Sequence, residues 1–158
     1  MRSTRKTLSI TPSRDQGGFT LLEVLVALVV ISVGMLGIAV LYVEGLKAER
    51  TSVYRTSAVN LVADMADRIR ANPTGTIAYV GGSANNGCTN GAGDCSPQQI
   101  AQEDLWWWDR DVASRLPGGA VGDVQFLVNG FTNQYTVSVT WNEAGFAAPQ
   151  AFSVTFDI

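Results

Sequence analysis

Two groups near the start of the chain are placed to do chemistry with one another. The Gly18-Phe19 bond follows a short polar, basic stretch ending in Gly17-Gly18, and it precedes a long aliphatic run. Glu23 is the one carboxylate at the mouth of that run, four residues after Phe19. Gly18-Phe19 is the clear processing-type junction of the sequence. Cutting it would leave Phe19 with a free α-amine and remove a hydrophilic leader. Glu23 would then lie one helical turn further on, where the amino-terminal end of the helix dipole favours an anion. A carboxylate at mid-bilayer costs about 2.5–3.5 kcal/mol on insertion scales, and less near the interface. An acid kept at this place is therefore a candidate for pairing with an amine. The plainer reading is an interfacial acid that snorkels without a partner.

Three other groupings carry possible chemistry. Cys88 and Cys95 have six residues between them. In an oxidising compartment they read as a disulfide closing a short loop. As zinc ligands they are incomplete, because two thiols without histidine do not make a tetrahedral site. Trp106-Trp107-Trp108 cannot all face one way on a helix, where successive residues turn by about 100°. Trp108 is expected to pack inward, and at least one of Trp106 and Trp107 to be partly exposed and available to a partner or a sugar. Asp104, Asp109 and Asp111 could hold calcium, but no oxygen-rich glycine-containing loop surrounds them, and a solvated helix face is the expectation. The sequence has no histidine. No nucleophile–base pair is available without one, and no glycine loop for phosphate follows a strand. No catalytic residue, metal or cofactor is expected, and the chain is read as not an enzyme.

The elements that must position these groups follow from hydrophobic periodicity. Val24–Val43 is a run of 20 residues without a formal charge. At about 1.5 Å per residue it spans roughly 30 Å, the thickness of a bilayer's hydrocarbon core. A secretory signal would place its cleavage site after the apolar core, whereas here the junction comes before it. The helical period then persists past Glu44. Tyr54, Ala58, Leu61, Met65 and Ile69 form an apolar stripe, with Val62 and Ala66 alongside. Asp64 and Arg68 make an i,i+4 pair of favourable orientation. Asn72-Pro73 and Gly75 end the helix, so that 19–71 as one helix would be roughly 80 Å long.

Residues 74–96 are rich in Gly, Asn, Ser and Thr and read as loop. Ser96-Pro97-Gln98-Gln99 is a capping-box start for a second helix, running to about Leu116 with Ile100, Leu105, Trp108 and Val112 on its apolar face. Pro117-Gly118-Gly119 stops it. The period then changes to two. Val124, Phe126 and Val128 alternate with Gln125 and Leu127; Tyr135, Val137, Val139 and Trp141, and then Phe152, Val154, Phe156 and Ile158, alternate with polar neighbours. Asn129-Gly130 is a hairpin signal. The fold class is α+β, with a three-stranded antiparallel sheet laid over the outer half of the long helix and burying both apolar surfaces.

Charge is divided along the chain. The leader carries Arg2, Arg5, Lys6 and Arg14 against Asp15, a net of +3. From Phe19 onward seven bases face thirteen acids, a net of −6. A basic flank before a single span predicts the N-terminus in the cytoplasm and the C-terminus outside. After Ala71 the only bases are Arg110 and Arg115, so no basic patch for nucleic acid exists there. The expected organisation is a leader at 1–18, a transmembrane half-helix at 19–43 and one exported domain at 44–158.

The junction with Gly18, Phe19 and Glu23, in GFTLLEVLVAL, closely resembles the class III signal of type IV prepilins and pseudopilins. AVNLVADMADRIRANPTG at 58–75 and GDCSPQQIAQEDLWWWDRDVASRLPGG at 93–119 resemble the minor pilins of the PilV family. The resemblance implies a pilin-like fold and cleavage at Gly18-Phe19 by a prepilin peptidase. It also implies N-methylation of Phe19 and a contact of Glu23 with a neighbouring subunit's amine. Its partners would be other minor pilins, the major pilin and the inner membrane. The implied role is initiating a type IV pilus and occupying its tip. Many major pilins carry a proline in the membrane half of the stem, but here none lies between Phe19 and Asn72. A pseudopilin of a type II secretion system would share the stem and its processing. A membrane-tethered periplasmic binding module using the tryptophans is the third reading.

Overall fold

The computed structural model describes residues 17–91, 93–129 and 132–158. The leader bases Arg2, Arg5, Lys6 and Arg14 lie outside the described residues, as does Gly130 of the hairpin signal. Contacts divide the chain into two units, one ending at Glu44 and the other running from Gly45 to Ile158. Helix α1 (Leu21–Ala71) is unbroken and contributes to both.

In the first unit α1 is apolar on every side, and its side chains are exposed. Ser32 donates back to the Leu28 carbonyl at 2.7 Å, which gives its hydroxyl a partner on the otherwise aliphatic helix wall. Among the described residues α1 is the one helix long and apolar enough to cross a membrane.

In the second unit α1 buries the stripe expected of it. Ala58, Leu61, Val62, Met65, Ala66 and Ile69 are all buried, and Tyr54 packs at the margin. Helix α2 (Pro97–Arg115) opens with a full capping box, in which Ser96 accepts from the Gln99 amide and Gln99 accepts from the Ser96 amide. Strands β1 (Val121–Asn129), β2 (Thr132–Trp141) and β3 (Gln150–Asp157) form an antiparallel sheet in the order β1-β2-β3. The β1–β2 pairing runs from Val121↔Thr140 to Asn129↔Thr132. Val137 and Val139 of the central strand join Leu61, Val62, Met65 and Trp108 in one core. The architecture is the α+β, pilin-like one that the periodicity indicated.

Four expectations are corrected. Residues 74–96 hold two short 3-10 turns, Thr76–Val80 and Cys88–Asn90, and Tyr79 is a core residue. A 3-10 turn is too short to leave a periodic signal. On α2, Ile100 is exposed and Ala101 is buried. The buried stripe is Ala101, Leu105, Trp108 and Val112, at spacings of 4, 3 and 4, which leaves Ile100 one position off it. Asp104 does not belong to a solvated face, because it bonds to Arg68 of α1.

The fourth correction concerns the sheet, which does not bury its whole apolar face. β2 is covered, but Val128 is 63% exposed, Val154 38% and Ile158 41%. One helix is about 10 Å wide and cannot cover three strands at about 4.8 Å spacing out to their ends.

Candidate functional site

The start of α1 is set by Thr20. Its hydroxyl and its carbonyl both accept from the Glu23 amide, at 3.3 and 3.1 Å. Thr20 is thus the N-cap and Glu23 the third helical residue, in the T-x-x-E pattern of a capping box. Sequence reasoning passed over Thr20, although that spacing was legible. Phe19 immediately precedes the cap and is exposed. Glu23 is exposed one turn into the helix. A Cβ added at Gly18 would meet nothing within 4 Å. Packing within the chain therefore places no demand for glycine at that position.

The two cysteines lie far from this start and are joined, with Cα atoms 5.8 Å apart. The loop they close is anchored by a residue that the sequence reading did not single out. Glu103 of α2 is buried, and its carboxylate accepts from the Cys88 amide at 2.6 Å and the Thr89 amide at 3.0 Å. It also accepts from the Thr89 hydroxyl at 2.6 Å. The Thr89 hydroxyl, the backbone amides and the neighbouring Trp107 hold its pKa down at about 2, against the desolvation that opposes them. A lone acid on a helix gives no sign in sequence of donors fourteen residues away.

A second polar group ties the helices together. Asp104 pairs with Arg68 at 3.1 Å, and Arg68 pairs with Asp64 at 3.0 Å. The Tyr79 hydroxyl lies 3.0 Å from Asp104 and accepts from the Asn72 amide group at 3.3 Å. Burial, chiefly, raises the Tyr79 pKa well above its ordinary value. Asn72 also donates to the Pro97 carbonyl at 2.8 Å, which fixes the start of α2 against the end of α1.

The tryptophans divide by helical angle. Trp108 is fully buried, and its indole N–H donates to the Leu61 carbonyl at 2.8 Å. Trp107 is 38% exposed, and Trp106 is half-buried. Their rings meet edge to face with centroids 4.6 Å apart, and the Arg110 guanidinium lies 3.7 Å from the centroid of Trp106. The result is an aromatic and cationic surface on α2. Asp109 and Asp111 flank it, and Asp111 lies 3.8 Å from Arg115.

Among the described residues no group of three or more His, Cys, Asp or Glu side chains could hold a metal. The arrangement is an exposed segment before α1, an acid one turn beyond it, and a partly exposed aromatic surface on α2.

Two family models match the chain. The prokaryotic N-terminal methylation motif matches residues 13–39, which contain Gly18, Phe19 and Glu23. A type IV pilin model, Tt1218, matches residues 40–106, from the exposed part of α1 to Trp106. No curated protein and no solved structure matches.

Proposed function

We propose, from the premise that its two matches and its fold support a type IV pilin, that the chain is a minor pilin of the PilV kind. It helps initiate pilus assembly and takes a place at the tip. The methylation motif implies processing by a prepilin peptidase and a pilus-assembly context. The family suggests a structural, non-enzymatic protein. The motif and the apolar start of α1 fit anchoring in the inner membrane.

On this reading residues 1–18 are removed and Phe19 becomes the methylated N-terminus. Glu23 meets the amine of a neighbour, and residues 19–43 anchor the chain. Residues 44–158 form the periplasmic head. The support for Gly18 as a recognition residue is that the fold itself has no use for a glycine there. The support for Glu23 is its exposure beside the future amine, with no hydrogen bond from its carboxylate to any described residue.

The observation that carries the minor-pilin role is the Trp107 surface. A tip subunit needs lateral contacts more specific than a membrane helix provides. Exposed aromatic side chains beside a stacked arginine are the composition of binding hot spots. Trp107→Ala and Trp106→Ala should keep the fold to within about 1 kcal/mol, and at least one should weaken co-purification with other minor pilins. If neither does, the contact lies elsewhere. Co-purification with secretion-system components instead of pilus components would make the chain a pseudopilin.

A further inference from the structure

One side of α2 carries three features that the fold has brought into contact. The first is the bridged loop. Cys95 directly precedes Ser96, whose capping box opens α2. Cys88 is tied two turns further along the same helix, because its amide donates to Glu103. The segment entering the loop is held there too. The Ala84 amide donates to the Gln102 carbonyl at 3.0 Å, and the Asn86 side chain donates to the Gln99 carbonyl at 2.9 Å. Thus α2 holds both cysteines, one through its cap and one through Glu103.

The second feature is Glu103 itself, an acid only 2% exposed. One cover is the turn at Cys88 and Thr89, which gives the carboxylate three donors. The other is Trp107. A helical side chain leans back over the residue three or four places before it. Trp107 follows Glu103 by four, and its indole helps to keep that carboxylate ionised. The third feature is the outer side of Trp107, whose ring is 38% exposed and has its inner side against Glu103.

These restraints share one cost. The bridge and the bonds from Cys88 and Thr89 to Glu103 both require the loop to be ordered, so whichever forms first makes the other easier. Such a coupling is reciprocal. We propose that Glu103 is a positioning residue that couples the Cys88–Cys95 bridge to the Trp107 surface, so that the oxidised chain presents Trp107 to partner pilins and the reduced chain presents it less well. The role of the partner in this rests on the minor-pilin reading above. The reductant is a dithiol. In two exchange steps it passes two electrons and two protons to the bridge. The S–S bond breaks, Cys88 and Cys95 end as thiols, and the dithiol closes as a disulfide.

Three measurements on the full chain in detergent test the coupling. Equilibration with glutathione gives the stability of the bridge. Glu103→Gln should lower the ratio of oxidised to reduced chain at least about fivefold. Thr89→Val removes one of the three donors from an exposed position and should move the ratio in the same direction. Should Glu103→Gln not fold, Thr89→Val decides. An unchanged ratio in the folded variants overturns the proposal.

Indole resonances give the state of Trp107. Dithiothreitol should shift the Trp107 signal and leave those of Trp108 and Trp141, which donate to the Leu61 carbonyl and to Glu143. A Trp107 signal that ignores reduction overturns the proposal. So does one that moves together with Trp108, because that is general loosening of the core.

Recovery with partner pilins gives the contact. It should fall at least about fivefold when the wild-type chain is reduced, and reduction should add nothing to the loss in Trp107→Ala. Undiminished recovery of the reduced wild type, with Trp107→Ala weakened, overturns the redox control. If Trp107→Ala is recovered like the wild type, the contact reading falls, and the glutathione ratio and the indole signal still decide the coupling.

Discussion

Trp108 and Gly122 should be energetically coupled, and the coupling has a sign that can be worked out. The Trp108 ring is fully buried among Leu61, Leu105, Val112 and Val139. A Cβ built on Gly122 of β1 would collide with three atoms of that ring. Trp108→Ala removes the indole, leaves a cavity and strips the Leu61 carbonyl of a donor at 2.8 Å. That carbonyl keeps its place within α1, so the cavity dominates, and the loss should be about 3–5 kcal/mol. For a unit the size of Gly45–Ile158 this lowers Tm by roughly 12–20 °C.

Gly122→Ala alone overpacks the same place and should cost about 1–3 kcal/mol. In the Trp108→Ala background the new methyl enters the space the indole left. The double variant should therefore be more stable than the sum of the two losses by at least about 1 kcal/mol. Urea unfolding of the four proteins in detergent, followed by circular dichroism, measures the cycle. Additivity within about 0.3–0.5 kcal/mol would refute the packing described.

Other outcomes follow from the remaining sites. Gly18→Val should leave a full-length precursor by mass spectrometry, whereas the wild type should begin at Phe19; normal trimming of the variant rejects the role of Gly18. Glu23→Ala should insert and be trimmed yet fail to join partner pilins, and degradation of the variant in the membrane would make the residue structural instead. Closing the loop of about 8 residues between Cys88 and Cys95 should add roughly 2–3 kcal/mol in the chain-entropy picture; alkylation of both thiols without prior reduction rejects the bridge.

Glu103 has its pKa lowered to about 2. Its hold on the loop should be complete above the ordinary carboxylate range and be lost as pH falls through about 2. The Cys88 and Thr89 amide resonances should report that midpoint, and a midpoint near the ordinary glutamate value would show that the three hydrogen bonds do not hold in solution.

The sequence by itself determined the elements whose signals are local. Hydropathy marks Val24–Val43, a 4,3,4,4 spacing marks the buried stripe of α1, and Ser96 with Gln99 marks the start of α2. Alternation marks the three strands. The methylation motif over residues 13–39 is equally legible, because it is a linear pattern. Helical angle alone was enough to separate Trp108 from Trp107.

Tertiary structure decided what depends on partners distant in the chain. Glu103 looks like any surface acid until Cys88 and Thr89 are folded against it. Asp104 is a structural ion only because Arg68 and Tyr79 arrive from other elements. Gly122 is required by a ring fourteen residues earlier. The place of β3 at the edge of the sheet also belongs to the fold, since alternation specifies which face of a strand is apolar but not which strand will lie beside it. Burial and hydrogen bonding are properties of neighbours in space, and local periodicity does not encode them.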